Sequence, residues 1–518
     1  MRNKRMKQAG IVLVTTLALG TGTSKLFANS TTDGQAQNGN QIQLSVRPET
    51  MFCSDSSIKH SDEAVVNVPN TALTNNEYPK ANVYDQKLAQ VGAVLSQSAY
   101  SKSATDDIAP GYTNKDLKIL GYSDIQLYDF DLKTNEQKVD SESNIAFTIA
   151  HKTTEIDGHK ANAFAIILRG TPTSKEWKGN FRYKDGFGDK YAQFWENNIY
   201  SLSKKVHATF EEYCQAHEED IAPQVTNKIF ITGHSRGGGT SECLGYMLDK
   251  DSQNNTGLMA AHSAINANNT AINKENVLVY ALAPTQAFRP EGDDTSAETE
   301  INANQDGAYN NIQVIVNPLD FVPTNPTNQW GYQHVGTVHK LFDADKITSA
   351  QYEEGLIGLQ KVAKLRDGKT LFTPQAIENM IGKNKEFKTI ADRKAHDKDG
   401  ILQLREALDQ ICPNLSTYDT PQTFQISDGS AVKTYSFSLH EFFNSYVVSF
   451  YGGKAFDNET FHDVVGYLMN PSIKQTDPVA LAYQKLLAHL PTSPDGPNIG
   501  QHLCTTYMGW LFSTKTVD

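Results

Sequence analysis

The stretch KIFITGHSRGGGTSECL, beginning at Lys228, sets the hydroxyl of Ser235 among four glycines, directly after a short apolar run. A serine hydroxyl is a weak nucleophile until an adjacent base takes its proton. G-x-S-x-G between a strand and a helix supplies the setting for that chemistry. The serine occupies a sharp strained turn, its Oγ projects above the sheet, and the following helix aims N–H groups and a positive dipole end at developing negative charge. The flanks fit, because Ile229–Thr232 reads as a strand ending in Gly233 and Gly237, Gly238 and Gly239 open a helix. At Gly233 and Gly237 a Cβ would collide with the neighbouring strand or helix. A phosphate cradle is a competing use of glycines, but no lysine follows them, so the G-x-x-x-x-G-K-[ST] pattern is absent. The bland alternative is a glycine-rich turn with a bystander serine. The pattern predicts acyl transfer through Ser235.

Two further stretches bear on the same chemistry. AIILRGTPTSKEWKGNF begins at Ala165 and places Thr171 just past an apolar run, and VNPLDFVPTNPTNQWGYQHVG begins at Val316 and places Asp320 just past another. Strand ends of an open α/β sheet are where sites form. A carboxylate there can fix an imidazole tautomer and stabilise the imidazolium; otherwise it caps a loop ahead of Pro323. With IFITGHSRGG between them, these stretches stand in the order found in class 3 lipases, the fungal-lipase-like branch of the α/β hydrolases. The chain resembles that family well over about residues 84–340 and weakly in the C-terminal third, and it most resembles secreted bacterial members with a GHSRG elbow.

The resemblance implies an α/β-hydrolase fold with Ser235 as nucleophile, Asp320 of the DFVP motif as the triad acid, and no cofactor. It implies an oxyanion hole made by the backbone N–H of Arg236, the residue after the nucleophile, and of Thr171, which follows the Arg-Gly dipeptide. Lipid esters, acylglycerol or phospholipid, are the implied substrates, with transient contact at a lipid interface. An esterase for carbohydrate or small esters would use the same chemistry, and a catalytically dead hydrolase scaffold that only binds is the non-enzymatic alternative.

Chain order in this fold runs Ser, Asp, His, which puts the base after Asp320. His334 and His339 follow closely, but GYQHVG matches a family segment whose histidine is not the base. His440 in SFSLHEFF, His462 in TFHDVVGYL and His502 in GQHLCTTYMGWL remain. His440 opens an aromatic segment that suits packing. His462 and His502 share the same offset to a tyrosine, Tyr467 and Tyr507. His502 also follows PTSPDGPNIGQ, a Pro/Gly-rich loop able to carry an imidazole back over the sheet. The secreted look-alikes end in a similar H-x-x-x-x-Y-x-x-W-L pattern, and His502 is the choice.

The elements that must position these groups alternate. Leu88, Val91, Val94 and Leu95 recur at helical spacing, and IQLYDFD, NIAFTIAHK and ANAFAIILRGT read as strands. A helical segment, KYAQFWENNIYSLSKKVHATFEEYCQAH, leads into the strand before Ser235. Strand-like NVLVYALAP and YNNIQVIVNPLDFVP follow. This alternation predicts an α/β domain with a central, mostly parallel sheet and helices on both faces. Charged helical sequence at about 343–430 reads as a helical insertion in the C-terminal third. Residues 29–76, rich in Asn, Gln, Ser and Thr, read as a flexible polar leader, leaving 77–518 as the hydrolase domain.

Residues 1–28 carry a basic head, an apolar run from Ile11 to Leu19 too short to span a bilayer, and a small residue, Ala28, for cleavage: a signal peptide, and so a secreted protein without a transmembrane segment. Its removal takes away five basic side chains and no acidic ones, moving the formal charge from −12 to −17. That balance excludes nucleic-acid binding, which needs basic surface. Five dispersed cysteines form no zinc quartet, H-E-x-x-H is absent, and no metal is indicated.

Overall fold

The computed structural model describes residues 41–46, 64–100, 112–129, 145–171, 199, 201–221, 226–257, 274–287, 307–318, 320, 322–324, 333–343, 346, 355, 363–365, 420–427, 432–438, 441 and 502–513. Its centre is a seven-stranded sheet. Strands β3 (Asp124–Tyr128), β4 (Phe147–Ile156), β5 (His159–Leu168), β6 (Thr226–His234), β7 (Val277–Leu282), β8 (Ile312–Val316) and β9 (Thr337–Lys340) lie side by side in chain order. β3, β4 and β5 pair antiparallel, and every pairing from β5 to β9 is parallel. Four parallel junctions against two antiparallel ones give the mostly parallel sheet that the alternation predicts.

Helices cover both faces, and the strand residues divide between them by the two-residue period of a strand. Phe164, Ile166 and Leu168 of β5 and Ile229 and Ile231 of β6 pack with Val206 and Phe210 of α3 (Ser201–Ala216) and Leu244 and Leu248 of α4 (Arg236–Asn254). Ala165, Ile167 and Phe230 point the other way. They pack with α1 (Gln86–Ser98) through Leu88, Val91, Val94 and Leu95, and with α5 (Cys504–Ser513) through Tyr507, Met508 and Trp510. A strand buried on both faces has no polar side to show, which is why β5 is apolar throughout from Ala163 to Leu168. The result is an α/β-hydrolase-like fold.

Local sequence fixes the ends of α1 and α5. The Asp85 carboxylate caps α1 by accepting from the N–H groups of Lys87 and Leu88 at 2.7 and 3.2 Å. Gln86 and Gln90, one turn apart on α1, both donate through Nε2 to the Leu511 carbonyl, at 2.6 and 2.8 Å. The last described helix is thereby fastened to the first long one across more than 400 residues of chain. This junction sets where His502, just ahead of α5, can stand.

The reading of residues 29–76 as a flexible polar leader needs correction where they are described. Gln41–Val46 (β1) and Ala64–Pro69 (β2) pair antiparallel, and Ala363–Leu365 (β10) takes the other edge of β2. Leu44, Val46, Ala64, Val66 and Val68 are buried in the same core as α1, so the ordered domain begins before residue 77. Six residues of alternation are a weak signal against an Asn- and Gln-rich background. The Ser45 N–H donates to buried Asp116 on α2 (Tyr112–Ile119) at 2.7 Å. Within the insertion expected at about 343–430, the described residues include the strand β10 and Gln422–Ser427 (β11), which pairs with Val432–Phe437 (β12) in a hairpin. Most of that segment, like residues 1–28, lies outside the described residues.

Candidate active site

Ser235 stands between β6 and α4 with φ 60° and ψ −123°. A non-glycine residue in that region carries strain of roughly 1–3 kcal/mol and persists only where its surroundings over-determine it. Here they do. The Ser235 N–H donates to the Leu282 carbonyl of β7 at 2.9 Å, and its carbonyl accepts from Gly239 as α4 begins. A Cβ on Gly233 would lie 2.4 Å from the Gly237 carbonyl oxygen, and one on Gly237 would lie 2.4 Å from the Leu168 carbonyl oxygen. The close approach of α4 to the ends of β5 and β6 is therefore possible only without those side chains.

The structure brings Ser235, His502 and Asp320 together. His502 Nε2 lies 2.8 Å from Ser235 Oγ, and Nδ1 lies 2.7 Å from Asp320 Oδ2. An ionised carboxylate only accepts, so Nδ1 carries the proton and Nε2 is left to accept from the serine hydroxyl. All three residues are buried, with 3–4% of their surface exposed. Asp320 follows β8 in a turn closed by its N–H on the Asn317 carbonyl, 2.9 Å. Its Oδ1 accepts from the Val322 N–H at 2.9 Å, and its Oδ2 also accepts from the Tyr507 hydroxyl at 2.8 Å. The Tyr507 oxygen in turn accepts from the Asn317 N–H at 2.9 Å. Burial, reinforced by the adjacent Asp320, holds the Tyr507 phenol well above its ordinary pKa, so it stays a donor.

Of the other sequence candidates, His440 and His462 lie outside the described residues. His334 and His339 are engaged elsewhere, His339 with Gln313 at 2.6 Å. Thr171 and Arg236 lie just past the ends of neighbouring parallel strands, since Leu168 of β5 is in register with Gly233 of β6. Both are buried. The start of α4 is where a helix presents its N–H groups.

His334 has a structural task that sequence did not reveal. Its Nε2 lies 2.8 Å from the Pro323 carbonyl, three residues past Asp320, and its Nδ1 lies 3.1 Å from Oε2 of Glu242 on α4. Glu242 Oε1 also accepts from the Val335 N–H. The Pro323 carbonyl only accepts, so Nε2 carries a proton. This buried clamp ties the acid's loop to the nucleophile's helix. Removing Glu242 strips a buried partner from both His334 Nδ1 and the Val335 N–H, a loss of about 1–3 kcal/mol for each bond. Glu242→Ala is therefore expected to lose about that much stability, read as a lower urea midpoint at unchanged slope.

Metal ligands are a separate matter. Among the described residues, His207, Glu211 and Asp251 offer ligand atoms within 4.8 Å of one another. Asp251 is sixteen residues along α4 from Ser235, about 24 Å at a helix's rise, so the trio stands apart from the serine. Cys214, Cys243 and Cys504 are buried free thiols. No helix among the described residues is long and apolar enough to cross a membrane.

Residues 165–330, about a third of the chain, match the family model for lipase (class 3). The matched segment contains Thr171, Ser235, Arg236 and Asp320 but ends before His502. The match supports a carboxylic ester hydrolase. No curated protein matches the chain in sequence. Among solved structures, a triacylglycerol lipase described as having a serine protease triad as its catalytic centre is 16% identical, covering 51% of this chain and 83% of that one, with a TM-score of 0.29. The native Rhizomucor miehei lipase–propeptide complex is 14% identical, covering 56% and 77%, with a TM-score of 0.28. Likenesses this loose carry nothing about substrate.

Proposed function

We propose that the protein hydrolyses lipid esters through Ser235, His502 and Asp320. His502 Nε2 takes the Ser235 proton as Oγ attacks the ester carbonyl. The carbonyl oxygen gains charge and is met by the backbone N–H groups of Thr171 and Arg236. The tetrahedral intermediate collapses, the ester C–O bond breaks, and the alcohol leaves with the proton from His502. Water then attacks the acyl-enzyme, giving its proton to His502. A second collapse returns that proton to Ser235 and releases the acid. Asp320 keeps the imidazole in the accepting tautomer throughout. Burial of all three groups makes each electrostatic contact stronger than it would be in water.

What supports this reading is the pair of hydrogen bonds, 2.8 and 2.7 Å, that runs from a strained serine through one imidazole to a buried carboxylate. The class 3 lipase match favours lipid esters, acylglycerol or phospholipid, and contact with a lipid interface during turnover. Export after loss of residues 1–28 belongs to the same proposal.

A fluorophosphonate probe is expected to label the wild-type chain at Ser235 and to leave folded Ser235→Ala unlabelled. Nitrophenyl esters of rising chain length, with and without an emulsion, read the substrate class. Rates that rise with chain length and at the interface support a lipase. A preference for acetyl esters with no interfacial gain would overturn the lipid reading and leave an esterase.

A further inference from the structure

The side chain next to the nucleophile has no part in the chemistry described so far. His234 ends β6 and is buried, at 3% exposure. Its Nε2 lies 2.7 Å from the backbone carbonyl of His502, and its Nδ1 lies 2.7 Å from the hydroxyl of Tyr100, just past α1. A carbonyl only accepts, so Nε2 carries the proton. Burial, together with the neighbouring His502, holds the ring's pKa well below the ordinary histidine value, so Nδ1 is bare and accepts from Tyr100. The direction of the relay is fixed: Tyr100 O–H to His234, then His234 N–H to the peptide of His502.

We propose that His234, oriented by Tyr100, is a positioning residue for catalysis: it grips the backbone of the base while Ser235 and Asp320 grip its ring. The inference rests on the serine hydrolase reading above. A ring held only at its two nitrogens can still rock about its own backbone, and the sequence feeding His502, PTSPDGPNIGQ, is rich in proline and glycine. The His234 contact adds a third point on the peptide. The same brace touches the loop assigned to the oxyanion. A Cβ on Gly170 would fall 1.7 Å from Tyr100 Oη and 2.6 Å from the His234 carbonyl oxygen, so the Arg-Gly-Thr backbone passes directly against the relay.

Neutrality is part of the arrangement. The His234 and His502 rings are 4.9 Å apart. A second cation there would oppose the imidazolium that His502 becomes after taking the serine proton. Among the described residues, the titratable groups facing His234 are Tyr100, His502 and Tyr507, whose ring centroid is 5.7 Å away. None of them is an acid that would stabilise a charged His234.

Three variants test this in the full-length protein, with thermal midpoints measured alongside steady-state kinetics on a nitrophenyl ester. His234→Leu removes the donor and is expected to lower kcat about ten- to hundredfold, the scale of a base displaced by a fraction of an ångström to one ångström, with KM within about threefold. His234→Gln places an amide N–H where Nε2 stood and is expected to recover to within about fivefold of wild type. Tyr100→Phe lets His234 take the other tautomer, which turns a bare nitrogen toward the His502 carbonyl, and is expected to cost about three- to tenfold in kcat. A His234→Leu enzyme within twofold of wild type overturns the proposal. So does a loss that Gln fails to recover at an equal thermal midpoint. Should His234→Leu not fold, Tyr100→Phe at wild-type kcat overturns it. A wild-type chain that no fluorophosphonate labels overturns the hydrolase reading itself, an outcome distinct from labelled wild type with indifferent His234 variants.

Discussion

His502→Ala is expected to lower kcat about a millionfold, whereas His440→Ala and His462→Ala stay within about fivefold of wild type. Without the His502 ring, nothing within hydrogen-bond reach in the described site takes the Ser235 proton. His234, the imidazole next to it in the described site, has its Nε2 turned to the His502 carbonyl and its Nδ1 to Tyr100. The remaining rate, about a thousand- to ten-thousandfold over water in comparable enzymes, would come from the oxyanion donors and substrate positioning alone. Fluorophosphonate labelling should slow in parallel, since the probe needs the same activated hydroxyl. The check is single-turnover kinetics on all three alanine variants, each shown to be folded. A His462→Ala or His440→Ala enzyme that is dead beside an active His502→Ala would move the base elsewhere.

That comparison also separates what the sequence could and could not carry. Ser235 was legible because its constraint is largely local: the strand, the turn and the glycines all lie within a dozen residues, and the Cβ collision at Gly233 is with Gly237 of the same motif. Asp320 was legible for a related reason, as it sits one turn past the apolar run of β8. The base was not fixed in this way. His440, His462 and His502 all lie more than a hundred residues beyond Asp320, and choosing among them needs the path of the chain back to the sheet. In the structure that path is set by Gln86 and Gln90 holding the Leu511 carbonyl, a contact between α1 and α5 with no periodic signature.

The supporting groups were less legible still. Tyr507 entered the reading only as part of a spacing pattern, and its bond to Asp320 arises because it stands five positions after His502 across the start of α5. Glu242 reads from sequence as one more polar helix residue. Only its burial and its bonds to His334 and Val335 show that it ties α4 to the segment ahead of β9. The strands β1 and β2 were lost for the opposite reason: their alternation is genuine, but it spans six residues in a polar stretch.

Asp320→Asn is expected to lower kcat about ten-thousandfold while leaving the fold intact. The argument follows from counting donors. Asp320 receives three: His502 Nδ1–H and the Tyr507 hydroxyl on Oδ2, and the Val322 N–H on Oδ1. An asparagine has one accepting oxygen and one donating nitrogen, so it cannot satisfy both sides. If its oxygen faces His502, its NH2 is driven against the Val322 N–H. If its oxygen faces Val322, its NH2 faces His502, and the imidazole must expose a bare Nδ1 to accept. The Nε2 nitrogen then carries the proton, points it at Ser235, and can no longer remove one. The Tyr507 hydroxyl, with one lone pair taken by the Asn317 N–H, can turn its second toward the new NH2, which favours the second arrangement. The second arrangement abolishes general-base catalysis with no loss of packing, so a variant with near-native thermal midpoint and a rate deficit of this size is the expected outcome. KM should change little, because Asp320 contacts the imidazole and not the substrate. An Asp320→Asn enzyme within tenfold of wild type would mean that another group fixes the tautomer of His502, and the assignment of Asp320 would fall.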